Sequence, residues 1–535
     1  MYDTKQLIEN GDAVLGIEFG STRIKAVLID DKGAILANGV FDWENHFSNG
    51  IWTYPQEEIL HGLQSAYRNL ADAVKEKYQL PITKLAAIGI SAMMHGYMPF
   101  DKQGKLLVPF RTWRNNFTQQ SSQKLTALFQ YNIPQRWSIA HLYQAILNQE
   151  AHVADIDYFT TLAGYVHWLL TGEKVLGIGD ASGMFPIDIQ TQSYDKRMLT
   201  QFAQLIADKH YPWHITEILP QVLPAGKTAG KLTALGAELL DPSGNLQAGI
   251  PFCPPEGDAG TGMIATNSIK ETTGNISAGT SAFAMIVLEK QLSRVYEELD
   301  MVTTPAGKAV AMAHANNCST DINAWVNLFG ETLNAFGVQV STEKLYETLF
   351  LKALEGDADC GGLLSYGFYS GEHVVGLAEG CPLFIHPTNA DFNLANLIRV
   401  HLYSAFGAMK LGMDILMRQE NVRITQILGH GGIFKTQNVA QKILASALNT
   451  AVATMSTAGE GGAWGIALLA NFLSRHQAGQ SLEQYLNDEI FQQAEISVVE
   501  PDAQISQGYE QFMRAYQRGI AVVKAAIEAN NTLAH

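Results

Sequence analysis

Apolar and polar positions follow two periods along the chain. In AVLGIEFGSTRIKAVLID, residues 13–30, two nearly continuous apolar runs meet at Gly20-Ser21-Thr22, which predicts two strands of a hairpin. KGAILANGVF reads as a third strand. From Pro55 to Lys77 the apolar residues Ile59, Leu63, Ala66, Leu70 and Val74 recur at helical spacing. Leu85 to Met93 predicts a short buried strand, and helical segments with loops follow to about Tyr211. After a turn-rich stretch, Pro220 to Thr233, the pattern gives a strand, a Pro-Pro turn, a Gly-rich loop and two more strands by Glu289. A helix is predicted from about Phe392 to Arg418, and the segment after about Ala470 reads as helical with no chemistry of its own. Strands and amphipathic helices thus alternate, the signature of an α/β architecture.

The first hairpin carries charges where a core is expected. Glu18 lies near the end of one strand and Lys25 just inside the next. The pattern also has an echo: GNISAGTSAFAMIVLE repeats the order strand, glycine plus two hydroxyl residues, strand, and Gly279 lies about half a chain length beyond Gly20. Two domains of similar topology produce such an echo, as do unrelated hairpins with Gly-Ser turns.

Composition narrows the class. With 535 residues the chain is too long for one core. It is 47% hydrophobic and 16% charged, ordinary for a globular protein. The net charge of −16 argues against binding nucleic acid or an anionic membrane. Cys253, Cys318, Cys360 and Cys381 form no CxxC pair and suit free thiols in a reducing compartment. The polar N-terminus lacks the apolar region of a signal peptide, and the run Ile276 to Leu288 is too short to span a bilayer, so a cytoplasmic location is expected.

The familiar nucleotide loops GxxxxGK[ST] and GxGxxG after a strand are absent from the sequence. The hairpin turns offer another device. A tight glycine turn lets backbone N–H groups converge on an anion, and adjacent hydroxyls add donors. Lys25 adds positive charge, and Glu18 gains a partner through hydrated Mg2+ or, alternatively, through Lys25 or Arg23. In PPEGDAGTGM, Asp258 sits in a glycine loop where a substrate can approach, which suits a general base; a turn or helix cap is the plainer role. Met94-His95-Gly96 follows a strand, and RTWRNN groups planar donors around Trp113, an arrangement that suits a sugar and equally a packed core. The glycines of GHGGIF, residues 429–434, and of GEGGAWGIA, residues 459–467, leave bare backbone for a flat ring, or serve turns and close helix packing.

In this order, from about Val14 to Leu469, these stretches resemble the FGGY carbohydrate kinases of the actin-like ATPase superfamily, and their sugar motifs resemble those of xylulokinases. The resemblance implies two actin-like, ribonuclease H-like domains with a cleft between them, residues 1–268 and 269–535. It implies ATP binding by Gly20, Ser21, Thr22 and Lys25, by Gly279, Thr280 and Ser281, and by Gly431, Gly432, Ile433 and Lys435. It places Mg2+ at Glu18 and Asp258, catalysis at Asp258, and the sugar at Met94, His95, Gly96, Trp113, Asn115 and Asp258. The segment Gly179 to Asp188 resembles an Asp-Ala-Ser-Gly element of xylulokinases. Glu18 stands where the family has Asp, Asn115 replaces an acid, and Ile433 and Phe434 replace small residues. The implied reaction is in-line γ-phosphoryl transfer to a sugar hydroxyl, with a pentulose such as xylulose as acceptor. Ribulose, fuculose, rhamnulose and glycerol are alternatives, as is a sensor without turnover on the same scaffold. The expected partner is a small sugar, with neither nucleic acid nor membrane involved and a homodimer left open.

Overall fold

Strand alternation decides how the first sheet is covered. Strand β1 (Val14–Phe19) buries Leu15, Ile17 and Phe19 in one core with Ile59, Leu63, Ala66 and Leu70 of the helix Gln56–Tyr78. Its other face carries Gly16 and Glu18. A Cβ on Gly16 would lie 2.2 Å from the carbonyl oxygen of Ala463, so this face meets the helix Gly461–Arg475 at backbone contact. Gly89 and Gly465 work the same way: a Cβ on either would fall within 3 Å of Ile466 and of Thr261, respectively. The computed structural model describes residues 4–455 and 461–533, with side chains through Asn530.

The chain forms two compact units. The first comprises Met1–Ile269, Asp300–Val310 and Glu460–Gln493, and the second Lys270–Leu299, Ala311–Gly459 and Ala494–His535. A single cut after residue 268 would leave out the two segments by which the chain returns to the first unit.

In the first unit β1, β2 (Arg23–Ile29) and β3 (Ile35–Asp42) form an antiparallel meander, while β4 (Ala87–Ala92) and β5 (Glu256–Gly257) continue the sheet in parallel, giving the order β5-β4-β1-β2-β3. In the second unit β6 (Thr273–Ala278), β7 (Ala282–Val287), β8 (Ala309–Ala315), β9 (Gln426–His430), β10 (Val452–Met455) and β11 (Ile496–Val499) run in the order β8-β7-β6-β9-β10-β11. Strand β6 is antiparallel to β7 and parallel to β9, as β1 is to β2 and β4. The echo in the sequence is therefore a repeated topology, and the α/β expectation holds in both units.

Three expectations need correction. Asp258 does not lie in a loop: it is the first residue of the helix Asp258–Ala265, so the glycines of DAGTG are helical. The segment after residue 470 is not wholly helical, because β11 precedes the final helix Ala503–Leu533. The helix predicted to reach Arg418 is α-helical over Leu394–Asp414 and then loosens into a π turn, Ile415–Gln419. The cysteines are free thiols, and among the described residues no helix is long and apolar enough to cross a membrane.

Candidate active site

The β1–β2 turn is braced from behind. Gly20 N–H donates to Arg23 O across the turn at 2.9 Å. Trp43 Nε1–H donates to Gly20 O at 2.7 Å, and the Tyr54 hydroxyl donates to Ser21 O at 2.5 Å. Trp43 N–H holds Thr22 O at 3.1 Å. With its carbonyls occupied, the turn keeps the Ser21 and Thr22 hydroxyls and amides as donors of the kind an anion needs. Arg23 is committed to Asp42 at 2.9 Å, so it is not the partner of Glu18.

Strand register sets the acids beside this turn. Glu18 pairs with Lys25 on β2 and with Ser91 on β4, and Ser91 pairs with Glu256 on β5. The four side chains therefore form one row on one face, near the C-terminal ends of the parallel strands. Glu18 reaches the start of the helix Gly461–Arg475, where Ala463 N–H donates to its Oε2 at 3.1 Å. Gly462 makes room: a Cβ there would lie 2.2 Å from Glu18 Oε1. The helix N-terminus favours the anion, but burial and the nearby Asp258 charge prevail and push the Glu18 carboxyl up to about 7. Gly459 and Glu460 of the same glycine-rich stretch lie outside the described residues.

Asp258 opens its helix two residues beyond Glu256. Its Oδ1 accepts N–H bonds from Met94 and Ala259, each at 3.0 Å. The carboxylate is open to solvent, yet the protein packed around it withdraws enough water to hold it above the ordinary aspartate range despite those two donors. Two further acids lie beside it. Glu256 accepts N–H bonds from Gly179 at 3.2 Å and Asp180 at 2.8 Å, and burial pushes its carboxyl up to about 8. Asp180 Oδ2 accepts the Thr161 hydroxyl at 2.6 Å, Oδ1 is buried without a partner, and burial pushes this carboxyl up to about 7. Neither acid was among the expected site residues. The signals available were an acid two residues before Asp258, and the Asp of the Gly179 to Asp188 segment, whose likeness to a xylulokinase element was noted without Asp180 being named as a site residue.

The Met94–Gly96 segment needs its unusual backbone. His95 has φ 72 and Gly96 φ 96, and a Cβ on Gly96 would meet the Phe110 ring at 2.7 Å. The buried His95 ring lies 6.3 Å from Trp137, and its Nδ1–H donates to Gly183 O at 3.2 Å. Burial, helped by the Arg136 charge, lowers its pKa to about 3, so the ring is neutral and Nε2 is an acceptor. Met94 joins this segment to the acids through its bond to Asp258. Asn115 is used differently. Its Oδ1 accepts Trp52 N–H at 2.9 Å, and its Nδ2 donates to Trp52 O at 2.8 Å and Thr112 O at 2.9 Å. The amide fastens its own loop. Trp113 is partly exposed, with the Arg114 guanidinium 5.9 Å from its ring.

In the second unit the β6–β7 turn is also tied from behind. Cys318 N–H donates to Thr280 O at 2.9 Å, and Ser319 gives both N–H (3.0 Å) and hydroxyl (2.6 Å) to Gly279 O. Gly431, at φ 110, packs on the β6 backbone, since a Cβ there would lie 2.2 Å from Ala278 O. The Phe434 ring already covers Gly429, while Gly432 faces open space; Ile433 is buried and Lys435 exposed. The bare backbone of this loop is thus confined to Gly432.

Comparison with known proteins gives the family. The N-terminal domain profile of the FGGY family of carbohydrate kinases matches residues 13–264, and the C-terminal domain profile matches residues 274–474. The chain belongs to the FGGY family of carbohydrate kinases. It is 22% identical to the xylulose kinase of Haemophilus influenzae over 457 residues, 82% of this chain and 86% of the relative. The ligand-bound xylulose kinase of Lactobacillus acidophilus shares its fold, with a TM-score of 0.76 and 17% identity over 98% of both chains. The gluconate kinase of the same organism fits equally well, with a TM-score of 0.77 and 17% identity over 96% of this chain and 98% of that one. Family membership together with the shared fold gives a two-domain carbohydrate kinase of actin-like ATPase fold, and the fold does not separate one sugar from another.

FGGY carbohydrate kinases use ATP, and Mg2+ is typical of them. Among the described residues no cluster of three or more His, Cys, Asp or Glu side chains could hold a metal by itself. Mg2+ bound to a nucleotide needs only one or two carboxylates, the rest of its shell being phosphate and water. Glu18 and Asp258 are hard oxygen donors close enough to repel each other, a repulsion a cation would relieve, so the donor set fits.

Proposed function

We propose that this kinase transfers the γ-phosphoryl group of ATP to a hydroxyl of a ketose, with a pentulose such as xylulose the preferred acceptor. One observation carries the reading: Met94 N–H holds Asp258 Oδ1 at 3.0 Å, joining the sugar-type motif to the acid best suited to act as base. Asp258 takes the proton of the attacking hydroxyl, and its raised pKa brings it closer to the hydroxyl it must deprotonate. His95 Nε2 accepts a hydrogen bond from a sugar hydroxyl. Gly20, Ser21 and Thr22 in the first unit, and Gly279, Thr280 and Ser281 in the second, donate to phosphate oxygens. Lys25 offsets charge on the transferring group, and Gly431, Gly432, Ile433 and Lys435 serve the adenosine. Glu18 and Asp258 would hold Mg2+, whose contribution when bound is to neutralise phosphate charge. Catalysis is then mostly positioning and electrostatics.

A coupled ADP-release assay over pentuloses, hexuloses, glycerol and gluconate tests the proposal. The expected result is sugar-dependent turnover, highest with a pentulose. Highest turnover with glycerol or gluconate would replace the substrate and keep the reaction. ADP release that ignores the sugar, or no release with any of them, would overturn the reaction itself.

A further inference from the structure

The second unit has a cavity of about 270 Å³ that none of the roles above uses. Trp325, Tyr369 and Phe384 bring aromatic rings to its lining, and Asp321 and His401 bring a carboxylate and an imidazole. His401 is 2% exposed and lies beside two of those rings, with ring centroids 4.9 Å from Trp325 and 5.6 Å from Phe384. Its Nδ1 lies 2.9 Å from Asp321 Oδ2 and 2.9 Å from Ser365 Oγ. A carboxylate only accepts, so Nδ1 carries a proton and gives it to Asp321, which holds the carboxylate and the ring together. Because Ser365 and Asp321 share the same ring nitrogen, the group is not arranged as a hydrolytic triad, in which the base would use its other nitrogen on the serine.

The lining sets one carboxylate among aromatic rings, and among the described residues no Lys or Arg lines the cavity to balance it. We propose that this cavity binds a small organic cation bearing N–H donors, an ammonium or guanidinium group. Its N–H groups would donate to Asp321, and its charge would lie against the faces of Trp325, Tyr369 and Phe384, where ring quadrupoles attract cations. The bond from His401 holds the Asp321 carboxylate in place beside those rings.

Isothermal titration calorimetry on the full chain tests it with three probes: n-butylguanidinium chloride, n-butylammonium chloride and the neutral butan-1-ol. Saturable binding of at least one cation is expected, with the alcohol about tenfold weaker or worse. Asp321→Asn and Trp325→Leu are each expected to weaken the cation by about tenfold, the first by removing the charge and the second by removing a ring face. Equal affinity for cation and alcohol would overturn the proposal, as would no saturable cation binding or unchanged affinity in both variants. Should Asp321→Asn fail to fold, the cation–alcohol comparison on the unmutated chain and the Trp325→Leu titration still decide.

Discussion

In the first unit Phe19 pairs with Ile24, so the hairpin turn holds Gly20 to Arg23; in the second Ala278 pairs with Ala282, so the turn holds only Gly279 to Ser281. Both turns have their carbonyls tied from behind, by Trp43 and Tyr54 in one and by Cys318 and Ser319 in the other. Two residues before the glycine they part company. Glu18 stands opposite Lys25, whereas Ser277 stands opposite Phe283. The first hairpin continues into a cross-strand row that holds Glu18 and Glu256 and ends two residues before Asp258, and the second continues into apolar β7. One strand-turn-strand scaffold can thus serve chemistry or simple grip, depending on the residues set in register beside it.

The largest test of that contrast is Asp258→Asn. It is expected to lower kcat by at least about 10² with little change in the KM for ATP, the loss usual for a general base. Near-full turnover would remove the first unit's claim to the chemistry. Next comes Gly462→Ala, whose Cβ would lie 2.2 Å from Glu18 Oε1. Overpacking of this kind costs about 1–3 kcal/mol, read as a lower Tm, and displacement of the acid should lower kcat as well. A smaller change is expected from Ser281→Ala. Loss of one hydroxyl donor to a phosphate should raise the KM for ATP by roughly tenfold or less, with kcat nearly kept. A collapse of kcat would show that the second turn does more than hold.

The smallest effect is in the pH dependence of stability without ligand. The Glu18 carboxyl is raised from 4.5 to about 7, so its protonated form is favoured by folding. That contribution is complete below pH 4.5 and is lost as the pH rises through about 7. Thermal denaturation of Glu18→Gln should therefore fall less steeply over this window than that of the unmutated chain. Asp180 and Glu256, raised to about 7 and about 8, keep part of the slope in both proteins. Identical slopes would mean that Glu18 is not desolvated in the folded chain.

Local patterns were legible in the sequence wherever neighbouring residues carry them. The spacing of Ile59, Leu63, Ala66, Leu70 and Val74 gave the helix, and the repeated glycine-hydroxyl turn gave the duplicated topology. Asp258 was found but misplaced, because Gly260 and Gly262 argued for a loop while burial of Met263 and Ile264 settled the segment as helix. What could not be read was contact over distance. Nothing near Glu18 announces that the amide of Ala463, 445 residues away, will receive it. Nothing near Asn115 announces that Trp52 will consume its amide. Gly462 and Gly465 looked like room for a ring, and they prove to be room for Glu18 and for Thr261.

The central claim is that the acid row of the first unit directs phosphate onto a carbohydrate hydroxyl rather than onto water. Phosphorus NMR of the unmutated chain turning over ATP, Mg2+ and xylulose measures this directly. A new phosphomonoester resonance that grows only when the sugar is present is the predicted result. Inorganic phosphate accumulating at the same rate with or without the sugar would contradict it.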